Sequence, residues 1–509
     1  LKNDVLIEDG VVYVSTKDIA NFFDGNIFYD NKYDQIITSS DTKLASLKIN
    51  NDTITVNGAS KEIMKPAKKV GQEFYLPFSE ISKSVYNVET KYIEDTDTVV
   101  LVSLDRELTY ANSRKNNSVK YKPTGFSKTI DRVSAGDNLT IVQQDDSTDS
   151  SGWVKVTTEN GKVGYVKENS IANEKKVRDN LEIEPQVQGK ISMFWDYFSE
   201  YAQAPQRSGK VEGVNVVSPT FFTLQKLGKG NIVANVGTRG TNYINWARNN
   251  GYKVWPMVQN SEAGSINVTS NIMNDYNKRQ ELISQIIIYC VKYKLDGVNI
   301  DFENMKQEDK NMYSRFIIEL EPRLKEIGMT LSVDVTAPDG SETWSMCFDR
   351  NVIGDVADYI VFMAYDEYGA SSNKAGTTAG YDWVELGIKK FIETEEIKEE
   401  KIILAIPLYT RVWTEDSSGK ITSKNTVSMK NTYSIIPNGV EKQWNDSLKQ
   451  YYVEYKDGNN TKKIWIEDET SLKEKISLIK KYKLGGVASW QKGMETDNFW
   501  EFLKNEIQD

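Results

Sequence analysis

Residues 295–305 read LDGVNIDFENM, with apolar and polar residues alternating strictly over 298–303. Successive side chains of an extended strand point to opposite faces. Asn299, Asp301 and Glu303 therefore share one face, and Val298, Ile300 and Phe302 the other. A solvated loop would not need the apolar spacers, so the pattern predicts a buried strand whose polar face needs hydrogen bonds or a function to offset its desolvation. Carboxyl groups at i and i+2 on a strand have Cβ atoms about 7 Å apart. Such a pair is the equipment for cleaving a glycosidic bond, and the spacing alone suits an inverting hydrolase, whose carboxyls stand about 6.5–9.5 Å apart.

The rest of the composition narrows the chemistry. The 509 residues contain no histidine, which excludes Ser-His-Asp and Cys-His nucleophiles, HExxH zinc sites and an imidazole base. Acid–base work falls to carboxylates, Lys or Tyr. With 63 Lys+Arg against 73 Asp+Glu the net charge is −10, and there is no long basic run, so a nucleic-acid footprint is not expected. Cys290 and Cys347 are too few for a disulfide framework or a CxxC metal site and are expected to be buried free thiols. No stretch approaches 18 apolar residues, so no membrane span is expected. A start at Leu1 without a signal-like segment reads as a mature or trimmed product.

The catalytic strand needs a scaffold. From about residue 188 to 509 short apolar runs alternate with helical patterns, the signature of βα units around a parallel sheet. Strands are expected at 190–195, 214–219, 254–259, 297–303, 330–336, 359–365, 402–408 and 485–490, with helices around 275–294, 308–328 and 383–393. Eight strands predict a (β/α)8 TIM barrel, whose chemistry sits at the C-terminal ends of its strands. The polar, strand-like segment 413–466 is expected as a small insertion between strands 7 and 8.

Two smaller domains precede the barrel. VYVSTKDIANFF (12–23) matches FYLPFSEISKSV (74–85), each a short strand and an amphipathic helix followed by β-rich runs, which predicts a duplicated α+β domain over 1–108. A Lys/Asn-rich connector (113–125) leads to short strands with an Asn160-Gly161 hairpin signal, a small all-β domain over 117–172, and then a charged linker at 172–186.

Asp296-Gly-x-Asn299-x-Asp301-x-Glu303 resembles the DGxDxDxE signature of family 18 glycoside hydrolases, the chitinase-like clan, and this overrides the inverting reading, because that family is substrate-assisted. The resemblance implies Glu303 as acid/base and Asp301 as the partner of the substrate's own 2-acetamido group. Met363-Ala-Tyr365-Asp366 resembles the family's Met-x-Tyr-Asp, implying that Tyr365 donates to the acetamido carbonyl and Asp366 holds sugar hydroxyls. Tyr409 and Arg411, in IPLYTRVW (406–413), match its strand-seven motif, and Trp490 its sugar floor. By the same match Asp296 and Met363 belong to the substrate-binding set. Asn299 departs from the usual Asp and removes a proton-sharing partner for Asp301. It is found in the spore cortex-lytic branch of N-acetylglucosaminidases, which 464–495 also resembles.

The first 108 residues resemble the stalk-type domain named after the copper amine oxidase N-terminus, without copper ligands here, and 117–172 resembles a bacterial SH3-like domain. Trp153 and Tyr165 there are either a ligand platform or packing residues. Together these resemblances imply a secreted enzyme at the cell wall or spore, retaining in mechanism, cutting β-1,4 bonds after N-acetylglucosamine in peptidoglycan. It would need no cofactor or metal, and the accessory domains would contact the wall. Chitinase or endo-N-acetylglucosaminidase action on chitin or glycans, and a non-catalytic lectin-like wall binder, are the alternatives.

Overall fold

The computed structural model describes residues 1–105, 107–142, 152–177, 186–199, 202–225, 231–261 and 266–508. They form two units, Leu1–Glu184 and Pro185–Asp509.

In the first unit each copy of the repeat builds a strand and a helix: Val11–Ser15 with Thr16–Phe22, and Glu73–Pro77 with Phe78–Tyr86. The two strands pair antiparallel with Val14 opposite Leu76, and Ile19 and Ile81 are fully buried in one core. A hairpin follows each helix, Phe28–Asp30 with Gln35–Ser39 and Val88–Ile93 with Thr98–Ser103. A seven-stranded antiparallel sheet then runs from Leu108–Ser113 to Ile171–Val177, including the hairpin Trp153–Thr158 and Val163–Lys167. Gly161 takes a φ of +72° in that turn, as a tight hairpin demands.

This sheet exceeds its expected bounds. Residues 172–177, expected as linker, instead pair with Leu108–Ser113 as an edge strand. Its exposed Glu174, Lys175 and Lys176 are what a solvent-facing edge carries to resist further pairing, and in sequence they look like a linker. Residues 178–185 of that expected linker and residues 143–151 lie outside the described residues.

The second unit is an eight-stave parallel barrel: β1 Ile191–Asp196, β2 Val216–Pro219, β3 in two pieces (Lys253–Val254 and Met257–Gln259), β4 Gly297–Asp301, β5 Thr330–Thr336, β6 Tyr359–Met363, β7 Ile402–Pro407 and β8 Gly486–Trp490. Closure comes from β8 pairing parallel with both β7 and β1. Inward side chains such as Met193, Trp195, Trp255, Met257, Val361 and Ile403 pack as one interior cluster. Outward ones, among them Val298, Ile300 and Phe302, bury against the helices.

Those helices are α1 Gly237–Asn249, α2 Ile266–Met273, α3 Tyr276–Tyr293, α4 Lys310–Glu326, α5 Arg350–Val356, α6 Tyr381–Glu393, α7 Glu469–Lys481 and α8 Phe499–Gln508. The ideal (β/α)8 alternation fails once: among the described residues no helix links β1 to β2. Outside β1 the C-terminal α8 packs instead, with the Trp500 and Phe194 rings 5.4 Å apart. The approach is close at Gly213, where a Cβ would meet Lys504 Cβ at 2.6 Å.

The insertion between β7 and β8 is a five-stranded antiparallel sheet spanning Tyr409–Ile466. A buried Lys475–Glu467 pair at 2.8 Å ties its end to α7, and Gln450 donates to the same carboxylate. Cys290 and Cys347 are free and buried.

Candidate active site

Alternation within β4 turns Asn299 into the barrel, where it is fully buried. Its Oδ1 accepts from Trp195 Nε1 of β1 at 2.8 Å, and its Nδ2 donates to Ser332 Oγ at 3.1 Å and Asp334 Oδ1 at 2.6 Å on β5. Every hydrogen-bonding direction of this amide is used, so its orientation is fixed. Asp301 closes β4 at the C-terminal mouth, and its Oδ1 is buried without a partner. Burial pushes its carboxyl up to about 7. Glu303 follows as the chain leaves the strand, its backbone clamped by Asn260 (Glu303 N to Asn260 Oδ1, 2.8 Å; Asn260 Nδ2 to Glu303 O, 2.9 Å). Burial, then the charges of Asp301 and Asp366, hold the Glu303 carboxyl well above the usual carboxylate range.

From β6, Tyr365 lies within the electrostatic reach of Asp334, Asp301 and Glu303. Burial and then these acids raise its phenol well above 10. Asp366 takes the left-handed conformation, φ +59°, sparsely populated for a non-glycine residue and concentrated at functional sites. Its Oδ1 accepts from both Tyr409 Oη and Arg411 Nη2 at 2.7 Å. Met363 is buried at the end of β6. Trp490 ends β8, half-buried, with ring centroids 5.7 Å from Trp195 and 5.9 Å from Tyr197. The mouth thus gathers a carboxyl pushed above its usual range, a second carboxyl beside it, a buried phenol, an aspartate held by an arginine and a half-buried indole, a set suited to gripping and protonating a sugar.

Residues 190–495 match the model described as Glycosyl hydrolases family 18. The chain belongs to this family. Its residues 1–101 also match the Copper amine oxidase N-terminal domain. Among relatives of the family 18 barrel, "Uncharacterized glycosylase YvbX" of Bacillus subtilis (strain 168) is 26% identical over 57% of this chain and 84% of its own length. "Cortical fragment-lytic enzyme" of the same organism is 25% identical over 46% of this chain, which spans only 55% of that protein. A chitinase from Chromobacterium violaceum ATCC 12472 shares the fold, with TM-score 0.56 and 22% identity over 63% of this chain and 100% of its own. The Bacillus megaterium QM B1551 spore cortex-lytic enzyme SleL does so with TM-score 0.52 and 22% identity over 64% and 75%.

One expected site residue of this family 18 barrel lies elsewhere. Asp296 precedes β4 at the N-terminal end, about 16 Å along the strand direction from Asp301. There its Oδ2 accepts from Val254 N at 3.0 Å and its Oδ1 faces Lys253 Nζ at 3.4 Å. It staples β3 to β4 and does not line the mouth, so Asp296→Ala is expected to lower stability by about 1–3 kcal/mol with kcat/KM near the parent's. Thermal melts and initial rates check this. A large fall in kcat/KM with unchanged stability would return Asp296 to the substrate set.

Several groups that touch the signature segment were missed, among them Trp195, donor to Asn299, and Asp334. Asp334 carried a legible signal, since Ser332, Asp334 and Thr336 alternate with Val333 and Val335 on β5 in the same way as the residues of β4.

Proposed function

We propose that this family 18 enzyme is a retaining, substrate-assisted hydrolase that cleaves β-1,4 bonds after N-acetylglucosamine in cell-wall or spore-cortex peptidoglycan. The observation that carries the reading is Glu303 buried at the mouth beside Asp301, its carboxyl pushed above the usual range by burial and by the neighbouring acids, while Asp366 is already engaged by Tyr409 and Arg411. Glu303 gives its proton to the leaving glycosidic oxygen as that C–O bond breaks. The substrate's acetamido oxygen attacks the anomeric carbon from the other face, oriented by Asp301 and by the Tyr365 hydroxyl. Water then opens the cyclic intermediate, losing its proton to Glu303, and two inversions leave the β configuration.

The cortical fragment-lytic relatives support peptidoglycan as the substrate. We read the first unit as a wall-contacting or spacing module, with an SH3-like sheet, of an extracellular enzyme. No helix among the described residues is long and apolar enough to cross a membrane.

The mechanism predicts that the first-formed product seen by proton NMR is the β anomer. It also predicts that a substrate with a 2-hydroxyl in place of the 2-acetamido group is not turned over. An α-anomeric first product, or turnover of the 2-hydroxyl substrate at a similar rate, would overturn it.

A further inference from the structure

We propose that Asp334 is a positioning residue for Asp301, supplying from β5 the neighbouring carboxyl that Asn299 does not supply from β4. The inference rests on Asp301 being the acetamido partner.

β4 and β5 pair in parallel with Asn299 opposite Ser332 and Ile300 opposite Val333, so one step further Asp301 stands opposite Asp334. Asp334 is 1% exposed. Asn299 Nδ2 holds its Oδ1 at 2.6 Å, and Asn299 cannot turn over because Trp195 N–H occupies its oxygen. The other oxygen, Asp334 Oδ2, is buried with no partner, and so is Asp301 Oδ1.

An unsatisfied buried carboxylate oxygen is costly, and two like charges directly opposite on adjacent strands repel. One proton shared between the two acids answers both problems, because the protonated carboxyl donates to the other's free oxygen. Such a pair titrates as a unit and carries a single negative charge. When Asp301 turns to the acetamido group, its O–H bond breaks as one to Asp334 forms, so the proton stays within the pair. The titratable groups facing Asp334 are Asp301 and Glu303 from β4 and its exit, Tyr365 from the end of β6 and Tyr313 from α4. Burial, then Asp301, raises the Asp334 carboxyl well above the usual range.

The test compares the full chain with Asp334→Asn, the exchange Asn299→Asp/Asp334→Asn, and Glu303→Gln. Reducing ends released from purified peptidoglycan and from tetra-N-acetylchitotetraose are followed across pH. Asp334→Asn keeps an acceptor for Asn299 and is expected to lower kcat about 10²-fold. The alkaline limb of its profile should move about one unit to lower pH, because Glu303 then ionises beside fewer negative charges. The exchange, which restores an acid next to Asp301, is expected to recover most of both. It also carries the test if Asp334→Asn does not fold.

Parental kcat and pH profile in Asp334→Asn, with Glu303→Gln inactive, overturn the role of Asp334 and leave the catalytic reading standing. A folded but inactive exchange variant overturns it as well. Full turnover by Glu303→Gln, or none by the parent on either substrate, overturns the catalytic reading and this inference with it.

Discussion

Glu303→Gln is expected to lower kcat by about 10²–10⁴-fold, the usual contribution of a positioned general acid, while KM for the glycan stays within a few-fold. The amide has nearly the shape of the protonated carboxyl, and the backbone clamp by Asn260 does not involve the side chain, so the mouth keeps its form. What is lost is the proton. The parent must hold that proton to work, so its activity should fall as pH rises through the Glu303 pKa. Burial and the charges of Asp301 and Asp366 place that pKa well above the ordinary carboxylate range. Initial rates from pH 4 to 9 check both points. A Gln variant with parental kcat would remove Glu303 from the chemistry.

Asp301→Asn is expected to lower kcat by about 10²–10³-fold through loss of the group that orients the attacking acetamido oxygen, and to change stability with a sign that depends on pH. The Asp301 carboxyl moves from its usual 3.8 to about 7 through burial. Between those values the folded chain keeps a proton that the unfolded chain has released. The contribution is therefore fully present below pH 3.8 and is lost as pH rises through about 7. The Asn variant lacks this slope. Relative to the parent its Tm should be higher at pH 8 than at pH 4.5, which is the stability–activity trade expected of a strained site. Melts at the two pH values decide it, and a variant Tm that falls relative to the parent at pH 8 would show that Asp301 is not held in an unfavourable ionised state.

Much of this molecule was legible because its periods are plain. Alternation in 297–303 announced both faces of β4, and all eight staves stand where apolar runs were read. Five of the barrel's helices were not anticipated, Gly237–Asn249 and Phe499–Gln508 among them. The first is a polar segment that opens on a glycine with a φ of +48°, and the second packs outside β1 only because the chain's end returns there. Asp296 was misassigned because a motif lists its letters together, whereas a strand carries the first of them to the far end of the barrel. Asp334 is different: the alternation of 332–336 turns it inward, but its contact with Asn299 runs across strands, between positions some thirty residues apart, and local spacing does not show which residue it meets. The charged strand at 171–177 looked like a linker because an edge strand needs few apolar residues.

The most direct test is a digest of purified peptidoglycan, reduced with borohydride and read by mass spectrometry, with Glu303→Gln in parallel. Fragments ending in reduced N-acetylglucosamine, present with the parent and absent with the variant, are the expected result. Intact glycan strands from both proteins, or fragments ending in reduced muramic acid, would contradict an N-acetylglucosaminidase acting through Glu303.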